Sequence, residues 1–258
     1  MKNPLLLEHL SWPEVKQALE SGYFRVIIPV ASIEQHGYHL AENVDTVLGE
    51  ACALMTAQKL GSTLVAPVIR PGISPHHMAL PGTLTLRPET FKMLLWDYVD
   101  CYLRHGFREI VFLASHGGNV KPCEAVAAEF NAAPAVKASG ARVFTVKDVP
   151  TQEELRELEA IHGFEAGTNG GHADERETSE MLSLVPELVN MSAAARGWCD
   201  PMTPEQLNQF FTQGVTSLTE VGSIGDPRAA TAERGLWYRE QAATMLAGLI
   251  REKSEALK

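Results

Sequence analysis

The chain has 258 residues, of which 45% are hydrophobic, so it can bury a substantial core. Its formal net charge of −10 would repel a phosphate backbone, so the sequence predicts no nucleic-acid binding. No apolar run reaches the length of a membrane span and no signal-peptide cleavage pattern is present, so the sequence predicts a cytoplasmic protein without membrane contact. The four cysteines stand singly, which predicts buried thiols of a reducing compartment.

Short β-branched runs alternate with longer helical patterns, which predicts an α/β fold with a mostly parallel sheet. In chain order the predicted elements are a strand at 25–31, a helix at 46–60, a strand at 62–70, a helix at 88–105, a strand at 109–115, a helix at 120–132, a strand at 141–148, and helices at 152–161, 176–184 and 231–257. The segment 196–228 is rich in Gly, Pro and Thr, and is predicted to be an irregular interface or lid.

The first polar segment, "SIEQHGYHLAENVDT" (32–46), follows the first predicted strand. Glu34 and His36 are two residues apart, so their side chains leave the same face if the strand continues. They lie where open α/β sheets place ligand crevices, and the loop before Asp45 is long enough to fold that carboxylate back toward them. Two other interpretations remain open: Glu34 and His36 as a solvated pair, and Asp45 as a helix N-cap.

The second polar segment, "SHGGNV" (115–120), follows another buried strand. His116 is at the strand end, and the glycines after it allow a sharp turn close to a ligand. The alternative is a phosphate-binding turn in a noncatalytic nucleotide-binding module, but the sequence has no GxGxxG pattern and no following GK[ST].

In the third segment, "GGHADERETSEML" (170–182), several acidic residues stand at a predicted helix start beside His172. The helix dipole alone also favours acidic residues at that position. Together the three segments offer nitrogen and oxygen ligands suited to Zn²⁺, Mn²⁺ or Fe²⁺, with carboxylates able to bridge two ions. This combination predicts a dinuclear hydrolytic site in which the metal ionises a water molecule.

The sequence resembles the creatininase (creatinine amidohydrolase) family. The resemblance rests on the three segments above, on "GISPHHMALPGTLTL" (72–86) and on "GDPRAAT" (225–231), in the same order. It implies a three-layer α/β/α sandwich forming a single domain over 1–258, two divalent metal ions (Zn, Mn or Fe) and a homo-oligomer, often a hexamer. The metal ligands implied by the family motif are Glu34, His36, Asp45 as the bridge, and His116.

Two departures from the creatinine-hydrolysing members matter. Those members place a glutamate ligand two residues after the turn histidine, where this chain has Gly118. Relatives with "HGGN" carry a Glu-Thr-Ser element instead, so the last ligand is assigned to Glu177, with Glu175 as the competitor. Those members also place tryptophan near the third-segment histidine, whereas "GTNGGH" has none, which argues against creatinine as the substrate.

The predicted enzyme is therefore a dinuclear amidohydrolase that cleaves a non-peptide C–N bond of a small cyclic amide or formamide through a metal-bridging hydroxide. His172 is the predicted general acid, with a structural role as its alternative, and Glu175 is placed beside it in the catalytic set. A peptide-processing hydrolase of the same family, with a groove open at both ends, is the alternative function. His76 and His77 are expected to be solvated and are left outside the catalytic set.

Overall fold

The centre of the molecule is a four-stranded parallel sheet, seen in a computed structural model that describes residues 2–256. Its strands are β1 (Arg25–Val30), β2 (Thr63–Val65), β3 (Glu109–Ala114) and β4 (Arg142–Lys147), in the order β2-β1-β3-β4. Arg25 pairs with both Thr63 and Glu109, and Glu109 pairs in turn with Arg142. All four strands run the same way, so their carboxyl ends meet at one edge.

Nine helices of four or more residues lie among the described residues. They are α1 (Trp12–Glu20), α2 (Val44–Leu60), α3 (Pro88–His105), α4 (Val120–Ala132), α5 (Pro134–Ser139), α6 (Gln152–His162), α7 (Glu175–Leu184), α8 (Pro204–Gln213) and α9 (Ala232–Ala256). A small antiparallel sheet joins β5 (Asn169–His172) to β6 (Ile224–Gly225).

Helices cover both faces of the central sheet, because successive side chains of β1 point to opposite faces and all of them are buried. Val26 and Ile28 belong to one buried cluster, to which α3 and α4 contribute Phe91 and Phe130. Ile27, between them in sequence, belongs to a second cluster on the opposite face with residues of α2 and α9. The mostly parallel sheet with helices around it, predicted from the sequence, is therefore confirmed. The extent of the domain, 1–258, stays a prediction.

Several predicted boundaries differ from the structure. The predicted strand 62–70 is reduced to β2, because Pro67 and Pro71 lack the N–H group that a ladder needs, and only one isolated bridge, Val30 to Ile69, continues it. The segment 196–228 contains α8, which begins with a capping box between Thr203 and Gln206. Leu257, the predicted last residue of the final helix, lies outside the described residues.

The loops that follow β1 and β3 lie at the carboxyl edge of the sheet, and β5 and the start of α7 approach the same edge. Within residues 2–256, none of the helices is both long enough and apolar enough to cross a membrane.

Candidate metal centre

The five predicted metal ligands meet at the carboxyl edge of the sheet, and all five are buried. They come from four places in the fold: Glu34 and His36 from the loop after β1, Asp45 from the first turn of α2, His116 from the loop after β3, and Glu177 from the first turn of α7. The helix begins at Val44 with Asn43 at its N-cap, so the interpretation of Asp45 as an N-cap was wrong.

Two groups of possible ligands share Asp45. Oδ2 of Asp45 lies 3.4 Å from Nδ1 of His116, and that nitrogen lies 3.3 Å from Oε1 of Glu34. The other carboxylate oxygen, Oδ1, lies 3.4 Å from Nε2 of His36, which is 3.7 Å from Oε2 of Glu177. In each group the ligand atoms lie within 4.8 Å of one another, close enough to hold one cation per group.

Unpartnered atoms within the cluster fit a cation. Oε2 of Glu34, Nε2 of His36 and Oδ2 of Asp45 are buried and make no hydrogen bond. A buried polar atom without a partner destabilises a protein by about 1–3 kcal/mol, so native proteins rarely keep three side by side. Coordination of a divalent metal would satisfy all three, and carboxylate and imidazole donors suit Zn²⁺ or Mn²⁺.

Backbone carbonyls orient the two predicted ligand histidines. Nδ1 of His36 lies 2.9 Å from the carbonyl oxygen of Glu34, and Nε2 of His116 lies 3.0 Å from that of Ile73. Because a carbonyl only accepts, each of these nitrogens donates its hydrogen, and the other nitrogen of each ring faces the carboxylates. Metal-binding histidines in proteins are held in this way.

The pKa values of the cluster reflect oppositely charged side chains that are buried close together. Burial alone would lower the pKa of His36 and His116, but Asp45 raises the first to about 10 and Glu34 raises the second to about 9. Burial would raise the pKa of Glu34, yet His116 holds it well below its usual range, while burial raises the pKa of Glu177 to about 7. A cation would therefore displace protons from the two histidines.

Three more histidines cover the cluster. Nδ1 of His172 lies 3.8 Å and Nε2 of His77 lies 3.5 Å from Oε1 of Glu34, and burial lowers the pKa of His77 to about 3. The ring of His76 stacks on that of His116 and contacts Phe210 of α8. The expectation that His76 and His77 are solvated was wrong, since they are 6% and 2% exposed. Their burial depends on α8, a helix that was not predicted from the sequence.

The structure does not bring Glu175 to the cluster. Its Oε1 accepts hydrogen bonds from Ser179 at 2.7 Å and from Arg234 at 2.6 Å, and its Oε2 accepts one from Tyr238 at 2.6 Å. Arg234 and Tyr238 belong to α9, so this carboxylate joins α7 to α9. Glu177, in contrast, lies among the possible ligands, and its Oε2 also accepts the N–H of Ala173 at 2.7 Å.

The glycine-rich turn is a scaffold for the cluster. A Cβ on Gly118 would lie 2.2 Å from the carbonyl oxygen of Ile73, so no carboxylate side chain fits there. The amide of Asn119 donates to the carbonyls of Val30 and Ala31, so this side chain is engaged inside the protein.

Comparison with known proteins identifies the family of this chain. The family model for creatinine amidohydrolase, Creatininase, matches residues 8–250. A mycofactocin precursor peptide peptidase from Mycolicibacterium smegmatis is 30% identical over 238 residues, which cover 88% of this chain and 86% of the relative. A creatinine amidohydrolase from Pseudomonas putida is 25% identical over 267 residues, covering 98% of each chain.

The fold is also that of solved creatininase structures. A mutant creatininase described as Zn-Zn type superposes with a TM-score of 0.80 at 23% identity, over 96% of this chain and 98% of the other. The chain therefore belongs to the creatininase family of hydrolases.

Proposed function

We propose that this protein is a metal-dependent hydrolase that cleaves the C–N bond of a small amide, with two divalent cations held side by side. Glu34, Asp45 and His116 would hold one cation, and His36, Asp45 and Glu177 the other. The observation that carries this proposal is the position of Asp45, whose two oxygens each face a different histidine while one of them has no hydrogen-bond partner.

The cations, when bound, would supply Lewis acidity toward a carbonyl oxygen and lower the pKa of a water molecule toward neutrality. The protein's own residues do the remaining work. Burial holds the pKa of His172 well below its usual range, so this ring, which borders Glu34, would first take up the proton that the attacking water loses and then pass a proton to the leaving nitrogen. His76 and His77, packed under α8, would exclude bulk water and so strengthen the electrostatic interactions inside the site.

A small, compact amide is favoured by the enclosure of the site. The five proposed ligands and the three covering histidines are all buried, and Phe210 closes the side at His76. On this ground we favour a lactam or a formamide over a larger substrate.

A short peptide is the second candidate substrate, because relatives named as peptide peptidases are 29–31% identical to this chain, against 25% for the creatinine amidohydrolase. Phe210 of α8, which contacts His76, would border such a substrate on one side.

The test is a screen of purified protein against lactams, formamides, creatinine and short peptides, with added Zn²⁺ or Mn²⁺ and with a chelator. We expect hydrolysis that the chelator abolishes. In Asp45→Asn, metal content and turnover should both fall, turnover by at least roughly a hundredfold. The exposed Asp97→Asn is the matched control and should change neither. An Asp45→Asn protein that keeps its metal, or a metal-loaded protein that cleaves none of the panel, would overturn the proposal.

A further inference from the structure

We propose that Gln35 is a positioning residue that places the proton of His172 on Nδ1 and the proton of His77 on Nε2. Both rings then present an N–H group to the same oxygen of Glu34. The catalytic meaning of this arrangement rests on the proposed hydrolase function, but the placement of the protons is a property of the metal-free protein and can be measured in it.

Two backbone groups fix the orientation of the Gln35 amide, which is 4% exposed. Its Oε1 accepts the backbone N–H of Gly37 at 3.0 Å, and its Nε2 lies 3.1 Å from the carbonyl oxygen of Gly222. If the amide were reversed, its NH₂ group would face an N–H and its oxygen would face a carbonyl. The NH₂ group therefore points toward the two histidines.

The contacts of this NH₂ group determine the histidine tautomers. Nε2 of Gln35 lies 2.8 Å from Nδ1 of His77 and 2.9 Å from Nε2 of His172. An amide NH₂ only donates, so each of these ring nitrogens must carry a lone pair. The NH₂ group has two hydrogens and three possible acceptors, the two ring nitrogens and the carbonyl oxygen of Gly222. Whichever acceptors it serves, a ring N–H at either histidine contact would point at the NH₂ group, which cannot accept it. The hydrogen of each neutral ring is therefore on its other nitrogen.

Those other nitrogens both face Glu34. Nε2 of His77 lies 3.5 Å and Nδ1 of His172 lies 3.8 Å from Oε1 of this carboxylate. His36 and His116 are held the opposite way, since backbone carbonyls take one N–H group of each ring and leave the nitrogen that a cation would bind facing the carboxylates.

The hydrogen-bond partner on the outer side of each ring thus makes His36 and His116 ligands, and makes His77 and His172 hydrogen-bond donors. His172 has ligand spacing to Glu34 and His36. Its inward N–H keeps it from coordinating through that nitrogen and places a proton toward the cluster, which the ring can release once Nε2 has taken up a proton from water.

Gly222 leaves room for the side-chain amide of Gln35. Its φ is +82°, and a Cβ built on it would lie 2.1 Å from Oε1 of Gln35. This residue precedes β6, whose partner β5 ends at His172, so the same small sheet positions both the amide and one of the rings. Gly222→Ala should therefore displace the amide while leaving residue 35 a glutamine.

The test measures the tautomers by long-range ¹H–¹⁵N NMR of metal-free protein with ¹⁵N-labelled histidine, with the signals assigned by single substitution of His77 and His172. We expect the Nδ1–H form for His172 and the Nε2–H form for His77. Gln35→Met should abolish both preferences. Gln35→Glu replaces the donor with an acceptor and should put hydrogens on the two nitrogens that now carry lone pairs. Gly222→Ala should act as Gln35→Met does.

Thr83→Val is the matched control. Oγ1 of Thr83 accepts the backbone N–H of Gln35 at 3.1 Å, so this change perturbs the same residue without touching its side-chain amide. The tautomers should stay as in the wild type. An Nε2–H form of His172 in the wild type, or a Gln35→Glu protein with unchanged tautomers, would overturn the inference.

Kinetics give a separate readout once a substrate is known. Gln35→Met should lower kcat by about a hundredfold, the range for a mispositioned general acid, with KM and metal content nearly unchanged. A loss of metal, or a change confined to KM, would contradict the role. The expected tautomers in a protein that cleaves no amide would refute the proposed function and leave the positioning role standing. Amide hydrolysis by a protein with the opposite tautomers would do the reverse.

Discussion

The first-turn glutamates of α7 show how two side chains of one type, two residues apart, come to have different roles. Glu175 is bonded to Ser179 and to two residues of α9, whereas Glu177 lies 3.7 Å from His36. Their positions in the first turn of the helix do not by themselves distinguish the two roles. What decides is which side of the helix start is packed against α9.

This difference gives a paired prediction. Glu177→Gln should lower metal content and turnover while changing the free energy of unfolding of the metal-free protein little, because burial raises the pKa of this carboxyl to about 7 and its charge is not well stabilised. Glu175→Gln should retain the metal but destabilise the protein by about 1–3 kcal/mol, because a buried acceptor of three hydrogen bonds is altered. Metal analysis and urea unfolding of both variants check this, and a metal loss confined to Glu175→Gln would contradict it.

Glu34, His36 and His116 could be recognised in the sequence because they follow strand ends, where a parallel sheet gathers side chains at one edge, whereas Glu177 was assigned through the resemblance to the family. Gln35, His76 and His77 could not be recognised. Their surroundings come from Gly222 and Phe210, more than 130 residues away in the chain, and no local pattern encodes that contact. An adjacent pair of histidines in a polar loop is equally compatible with solvation, so only the tertiary structure could decide.

At the scale of elements, the close approach of α7 and α9 sets the position of the first turn of α7. Gly235 in α9 lies against the backbone of Ser179, and a Cβ built on it would be 2.0 Å from the carbonyl oxygen. The N–H of Thr231 also donates to Oγ of Ser179 at 3.0 Å. The two helices can lie this close only because Gly235 lacks a side chain.

A pair of glycine substitutions in α9 tests this packing. Gly235→Ala should destabilise the protein by about 1–3 kcal/mol, since the helices must separate, and should weaken metal binding through Glu177. Gly248→Ala in the same helix meets no atom within 4 Å and should stabilise the protein by about 0.5–1 kcal/mol. Urea unfolding measures both changes. Equal effects of the two substitutions would show that the contact at Ser179 does not matter.

The sequence predicted the central strands well because their apolar runs are continuous, as strands buried on both faces must be. It overestimated β2, where prolines end the ladder, and it omitted α8, although Pro204 at the helix start and the Thr203–Gln206 capping box were visible signals. The Gly, Pro and Thr content around α8 outweighed those signals. The small sheet of β5 and β6 was also omitted, since glycine-rich strands of two to four residues carry no periodicity.

For the whole molecule, the unpartnered carboxylate and imidazole atoms predict that stability depends on metal. A ligand present at a hundred times its Kd stabilises the folded state by about 2.7 kcal/mol, which for a chain of this size raises Tm by roughly 5–10 °C. Chelator treatment should therefore lower the Tm by that amount while the circular dichroism at low temperature stays the same. Asp45→Asn should show no chelator effect, and a similar drop in that variant would point to a different site.

The opposite edge of the sheet holds a separate charged group. Glu109 is 1% exposed and pairs with Arg25, and Arg142 lies 3.4 Å from its other oxygen. This network also reaches α9, since Nη2 of Arg25 donates to Oγ of Ser254 at 3.4 Å. These residues join the amino ends of three strands to the end of the last described helix.

Glu109→Ala should destabilise the protein by about 3–5 kcal/mol, because it leaves two arginines at that edge without their buried partner. Metal content should not change. Glu129→Ala removes the exposed partner of Lys92 and should alter the free energy of unfolding by no more than about 1 kcal/mol. Chemical denaturation and metal analysis of the two variants check this, and metal loss in Glu109→Ala would mean that the two edges are coupled.

The placement of the arginine network at the amino edge has an evolutionary consequence. Substitutions in the loops of the carboxyl edge leave in place the bonds that join β1, β3 and β4 to α9. A lineage built on this plan can therefore vary those loops while it inherits this part of its stability unchanged.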